Sequence, residues 1–420
     1  MIQASTKSSI ISLTKTVVGA GALAMPFAFR ADGLFFGILI ILLASVTSGF
    51  GLYLQARTSK YVPDGNATFF AICSITYPKL SVIFDFAIAI QCFGVGLSYL
   101  IIIGDLLPDL SSNHLSRTSA ILVSSILICP LSFLKNLDSL KYTSIIGLIS
   151  ISYIIILVFL HFLFNDIPQD LKGEINYFKP LNLSSILSTF SIIIFAYTGH
   201  QNMYSLINES SNKSIKNLSY IVKVVILIST AIFFITGISG YLTFGNNVKG
   251  NVLLMYPDSR STRLARFALS LMVILSFPLM FHPCRISANN IYHWIKINYF
   301  STNNDLDPPV VPFPNLVFII ITSLLLVASY LLAISINSFA LVLSLVGATG
   351  STAISFILPG LFGYKLLGNS HNELLLPNNF SLSSGYNGKW IKYASLLLSI
   401  WGIIVMFLCV TATLFIGDDS

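Results

Sequence analysis

The chain has 420 residues, of which 55% are hydrophobic and only 9% charged, with a formal net charge of +7 and a mean hydropathy of +0.83. A soluble domain carries roughly 25% charged residues, so a water-clothed globule of this length is excluded. The apolar residues run in blocks near the roughly 20 residues a helix needs to cross a bilayer. They do not fall into alternating ten-residue stretches, which excludes a membrane β-barrel.

The chain opens on a polar stretch, Met1 to Ser9. The first apolar segment, about 9–30, is long and interrupted by Gly and Pro, so it reads as a retained helix and not a cleaved signal peptide. It holds Lys15, then Gly19-Ala20-Gly21-Ala22 at its middle, then Pro26. Glycine costs ~1 kcal/mol in a helix interior, so the run predicts an unwound point. Segments follow at about 34–56, 80–107, 118–134 and 143–164. Asp85 and His161 lie near segment ends and read as interfacial. The cysteines at 73, 92, 129, 284 and 409 have no CxxC neighbour, so neither a disulfide framework nor a metal site is expected. They read as small packing residues.

Segment 6, about 184–208, passes from apolar residues into Tyr197-Thr198-Gly199-His200-Gln201-Asn202 at membrane depth. Asn182-Leu183-Ser184, just before it, is a glycosylation sequon set close against the membrane. Segments 7 to 11 are expected at about 219–244, 264–292, 313–335, 337–363 and 390–416. Segment 8 carries Ser276, His282 before Pro283, and Arg285 near a helix end. The longest loops, about 165–183, 245–263, 293–312 and 364–389, read as connectors within one membrane domain spanning 1–420. Eleven spans put the termini on opposite faces. A cytoplasmic N-terminus leaves 15 of the 23 basic residues on the cytoplasmic side, as the positive-inside rule favours. The net charge therefore follows from orientation and calls for no nucleic acid.

Segments 1 and 6 would begin two five-helix halves, about 9–164 and 184–363, with 390–416 as an extra helix. Transporters built from inverted repeats break the corresponding helix in each half. The freed backbone groups can then face a cavity. A half-helix N-terminus offers N–H donors to a carboxylate, and freed carbonyls can face an amine. An amino acid has both groups. Close helix packing is the competing reading of the glycines. Lys15, one turn before Gly19, either reaches the space between segments 1 and 8 or snorkels to the interface. His200 either tunes transport with pH or is held by structural hydrogen bonds.

Seven stretches carry a resemblance. They are LTKTVVGAGALAMPFAF at 13–29, CFGVGLSYLIIIGDLLP at 92–108, LSFLKNLDSLKYTS at 131–144, FAYTGHQNMYSLINE at 195–209, GYLTFGNNVKGN at 240–251, FPLMFHPCR at 277–285 and GATGSTAISFILPGLF at 347–362. In this order they resemble the amino acid/auxin permease family, and within it the fungal vacuolar amino-acid transporters. The chain is similar, at greater distance, to the sodium-coupled neutral amino-acid transporters of animals. The resemblance implies an all-α membrane protein of about eleven transmembrane helices in a 5+5 inverted-repeat fold, with broken helices 1 and 6 and one extra C-terminal helix. It implies alternating access, with substrate at Gly19, Ala20, Gly21, Ala22, Tyr197, Thr198 and Gly199. Sodium-coupled relatives have Asn where this chain has Lys15. Ile274 stands two residues before Ser276, where the sodium type has a hydroxyl. Lys15, Ser276 and His200 are therefore the expected ion-coupling residues, and the ion a proton.

The resulting expectation is an amino-acid and proton symporter of the vacuolar membrane, working from lumen to cytosol. Neutral substrates are favoured, with acidic ones as the alternative. No cofactor is expected. A plasma-membrane permease and a non-transporting sensor on the same fold are the other readings. No HExxH, paired intramembrane aspartates or nucleophile elbow suggests an enzyme.

Overall fold

The computed structural model describes residues 4–111, 114–134, 143–300, 313–368 and 386–415. Within the third similar stretch, residues 135–142 with Lys135 and Lys141 lie outside the described residues. So do most of the expected loops at 293–312 and 364–389. Among the described residues the only β pairing is one parallel bridge, Ala4 with Ser210.

Nine helices among the described residues are long and apolar enough to cross a membrane. A tenth span is the pair α1 (Thr6–Val17) and α2 (Met25–Asp32, entered by a 3-10 turn at Ala20–Ala24), bent by 45°. The eleventh, α6 (Arg117–Ser132), has 16 residues. Its length is about 24 Å, short of a hydrocarbon layer of roughly 30 Å. The other elements are α3 (Leu34–Thr58), α4 (Phe69–Thr76), α5 (Ser81–Leu110), α7 (Thr143–Phe164), α8 (Leu183–Ala196), α9 (His200–Glu209), α10 (Ile215–Phe244), α11 (Arg260–Phe300), α12 (Asn315–Ser335), α13 (Phe339–Val346), α14 (Leu358–Leu366) and α15 (Tyr386–Phe415). The short α4 was not expected. Helix α11 starts before and ends after its expected bounds of 264–292.

Small polar residues start six of these helices. Ser5, Thr68, Ser116, Asn182, Ser214 and Ser338 each accept a backbone N–H in the first turn, satisfying one of the donors a helix leaves open. Asn182, the sequon residue, is the cap of α8, its Oδ1 2.7 Å from the Ser185 nitrogen. Between α2 and α3 there is one residue, Gly33, at φ +74°, a conformation that favours glycine. The loop before α8 seals this corner. Leu34 and Phe35 donate to the carbonyls of Asn176 and Tyr177, and Leu181 donates to that of Ala31.

Lipid supplies no hydrophobic drive for helix association, so packing relies on close approach of small residues. Gly94 faces Val346, Gly347 faces the Ser191 carbonyl, and Gly350 faces the backbone of Gln91. Helices α5 and α11 make the most extensive pair. Between α13 and α14 the chain widens into two π-helical turns, Gly347–Ser351 and Ala353–Ile357, beside α5 and α8. Large apolar residues such as Val46, Ile126, Leu227 and Phe407 point outward, as a lipid-facing surface requires.

Candidate functional site

The two expected breaks are present and adjoin. In the first, Val18 and Gly19 leave the helix and Ala20 opens a 3-10 turn. In the second, Tyr197, Thr198 and Gly199 separate α8 from α9. The α9 start at Gly199 has no side-chain cap, nor does the turn starting at Ala20. Both differ in this from the six helices capped above. Their first N–H groups are therefore left for a ligand or water.

A cavity of about 490 Å³ lies against both breaks. Its exposed lining residues are Ser12, Ser205, Glu209 and Ile286, so its mouth is on the face that holds the start of α1 and the end of α9. The opposite face is packed shut. Met25 and Phe29 are fully buried, the Phe29 ring stacks on Tyr241 at 6.3 Å, and Gly237 and Gly240 fit against Phe29 and Pro26.

Of the ten site residues expected from sequence, Lys15, Gly19, Ala20, Gly21, Thr198 and Ser276 line this cavity. The other four do not. Ala22 is buried behind the turn. The Tyr197 hydroxyl bonds Thr230 on α10 at 2.8 Å. Gly199 faces Val17 and Leu13. Of the two readings of His200, its placement favours the structural one. It is fully buried, with Nε2 3.1 Å from the Ser48 carbonyl and Nδ1 3.0 Å from the Ser355 hydroxyl. A carbonyl only accepts, so Nε2 carries the hydrogen and Nδ1 accepts from Ser355. The imidazole joins α3 to the widened turn at Ala353–Ile357 and does not reach the cavity.

Lys15 projects from α1 toward α7 and α11. A Cβ on Gly147 of α7 would lie 3.0 Å from Lys15 Cε and 3.4 Å from Met272 of α11. Its ammonium thus belongs to the space between α1, α7 and α11 and is not snorkelling into open solvent. Arg285 does not snorkel either. It is 2% exposed, lies 4.2 Å over the Phe318 ring, and donates to the carbonyls of Ser132 and Leu134 at the end of α6. A cation is favourable at a helix C-terminus. Its other bond, 3.0 Å to His282 Nδ1, leaves the hydrogen of that imidazole on Nε2, and His282 lines the cavity. His161, in the last turn of α7, bonds Asp166 at 2.7 Å.

Sequence reasoning missed several polar lining residues. Gln91 is 1% exposed, its Oε1 accepting from Ser351 at 2.7 Å. Gln201 Oε1 is buried without a partner among the described residues. Asn202 donates to Thr16 at 3.2 Å, joining α9 to α1. Tyr99 and Glu209 complete the polar wall. Gln91 is a lone carboxamide deep in an apolar segment, which is a functional signal by default.

Residues 3–411 match the family described as transmembrane amino acid transporter protein. The chain belongs to this family. It is 40% identical to vacuolar amino acid transporter 7 of Saccharomyces cerevisiae, over 98% of each chain. It is 41% identical to vacuolar amino acid transporter 5 of the same yeast, over 99% of each. In shape it is similar to the crystal structure of MhsT in complex with L-phenylalanine, with a TM-score of 0.57 at 12% identity over 96% of this chain and 98% of that one. That likeness speaks for the fold alone, an inverted-repeat transporter with two broken helices. In this family member the breaks and the cavity coincide.

Proposed function

We propose that the chain carries neutral amino acids across the vacuolar membrane from lumen to cytosol, driven by protons. The vacuolar assignment and the amino-acid substrate draw on the yeast relatives, whose names state both. Proton coupling draws on one observation, the placement of Lys15 between α1, α7 and α11 in the cavity that Ser276 also lines. An ammonium is a compact charge with three donors. Standing there, it supplies the positive charge that a bound cation would supply, and it can give up and regain a proton.

The uncapped start of α9 at Gly199 takes the substrate carboxylate through its free N–H groups and dipole. The carbonyls that end α1, near Thr16, take the amine. Gly19, Ala20 and Gly21 keep this wall thin so that backbone can approach the ligand. Gln91, Thr198 and Gln201 line the remaining polar wall, and no carboxylate or guanidinium stands at the breaks to select a charged side chain.

The deciding measurement is uptake of a panel of labelled amino acids into sealed vesicles with an imposed pH gradient, in choline and in sodium buffers. Equal, gradient-driven uptake of neutral amino acids in both buffers is expected. A strict sodium requirement would refute the coupling, and uptake restricted to charged substrates would refute the selectivity.

A further inference from the structure

Asp32, at the end of α2, is completely buried on the closed face. Thr189 of α8 donates to its Oδ1 at 2.7 Å, and Oδ2 is buried with no partner among the described residues. Helices α3, α8 and α10 pack on α2, and none offers a counter-charge. The sequence of α8 has no titratable side chain. On α3, Arg57 and Tyr53 hold each other at 3.0 Å at the far end. On α10, Lys216, Tyr220 and Lys223 lie in the first turns, while the Tyr241 hydroxyl accepts from the Asn176 nitrogen at 2.8 Å. Arg30, on α2 itself, turns to the Phe27 ring and the Val248 carbonyl. Glu174, Tyr177 and Lys179 belong to the covering loop, and none of them makes an ion pair or hydrogen bond with Asp32.

An ion buried without a partner costs several kcal/mol, whereas a carboxylic acid buries one fewer charge. A cavity of about 100 Å³ borders this point, lined by Ala31, Ser185, Ser188 and Thr189 and, on its Phe27 side, by Arg30, which makes no ion pair with Asp32. Thr189 thus touches both the cavity and the carboxyl. The closed face is built around a carboxyl group whose second oxygen has no hydrogen-bond partner among the described residues.

We propose that Asp32 is a proton-binding site that governs closure of the face opposite the mouth. With a proton on Oδ2 it packs between α2 and α8 as observed. Without one it stays hydrated and holds that face open. The step is reversible: one proton enters from the compartment on that face as it closes and returns when it reopens. This role requires only that the chain alternates between two faces, not that flux be proton-driven.

The test is substrate exchange in proteoliposomes with equal amino acid on both sides, which needs no net proton movement. The two compartments are buffered separately, and the pH facing α2 and α8 is varied from about 5 to about 8. Wild-type exchange falls toward the alkaline end, by about tenfold per pH unit beyond the midpoint, as occupancy of one site does. Asp32→Asn, a neutral isostere, keeps exchange within about twofold of the acidic wild-type rate across the range. Thr189→Val, which keeps the acid and removes its donor, shifts the midpoint while preserving the dependence. An Asp32→Asn profile that still follows the wild-type pH dependence overturns the proposal. So does a flat wild-type profile. Should Asp32→Asn fail to reach the membrane, an unmoved midpoint in Thr189→Val overturns it alone. Gradient-driven uptake in the same vesicles reports on proton coupling independently.

Discussion

A side chain on Gly21 has no room, because its Cβ would lie 2.7 Å from both Cα and Cβ of Ala196. The two broken helices thus touch backbone to backbone at the floor of the cavity. Gly19, two residues earlier, differs: its Cβ would meet only the Thr16 carbonyl, at 3.8 Å. Gly21→Ala should therefore destabilise the fold by about 1–3 kcal/mol, as overpacking does. Gly19→Ala should leave stability near wild type and raise KM about tenfold, or ~1.4 kcal/mol, by placing a methyl in the cavity. Melting of the purified variants alongside uptake kinetics separates the two. A Gly21→Ala protein that melts like wild type would show that the contact can relax.

Lys15→Ala should lose pH-driven net uptake by more than about tenfold while retaining substrate exchange, since the ammonium is assigned to coupling and not to the ligand. Lys15→Asn should do the same and admit some sodium dependence. Full gradient-driven accumulation by Lys15→Ala would remove this residue from the mechanism.

His200→Gln should leave the pH profile of uptake unchanged. Its ring nitrogens are engaged by Ser48 and Ser355, away from the cavity. The substitution should instead lower stability by about 1–3 kcal/mol through unsatisfied buried partners, seen as an earlier melt. A shifted profile with an unchanged melt would reverse this assignment.

Gln91 presents its amide to the cavity while Ser351 occupies its Oε1. Gln91→Leu should weaken substrate binding by about 1–3 kcal/mol and leave Ser351 without an acceptor for that bond. Ser351→Ala should cost less, because the amide stays in place. Titration of substrate-induced thermal stabilisation gives both numbers, and equal affinities for Gln91→Leu and wild type would exclude contact.

The charge split and the exposed mouth together predict sidedness. A membrane-impermeant thiol reagent should label Ser205→Cys from the cytosolic face, more slowly with substrate bound. Four native cysteines are buried and Cys129 is half-buried, so background is low. A tag after Ser420 should resist protease from that same face. Labelling of Ser205→Cys only from the lumen would invert the topology.

Hydropathy made the span count legible, because lipid demands long apolar blocks and this chain has little else. The breaks were legible where glycine, proline or a polar run violates helix chemistry, at Gly19 and at Thr198. Side-chain direction was not. Tyr197 and His200 sit in the broken stretch yet point to α10 and α3, while Gln201 and Asn202, which follow directly, line the cavity. Which face of α9 meets the cavity depends on its packing against α1 and α3, which periodicity does not encode. Asp32 fell two residues beyond the expected end of segment 1 and so read as part of a connector. Its burial arises from a loop over 140 residues later that folds over the corner.

The chain before α1 has a part in this as well. Ala4 donates to the Glu209 carbonyl at 2.8 Å and accepts from Ser211 at 2.9 Å, while Thr6 bonds Asn217 at 3.0 Å. The two half-helices that flank the mouth are thus tied together by a stitch of backbone. Neither can swing alone without tearing it, so they must travel as one jaw. Anything that tugs on the amino-terminal end therefore pulls on the mouth of the cavity.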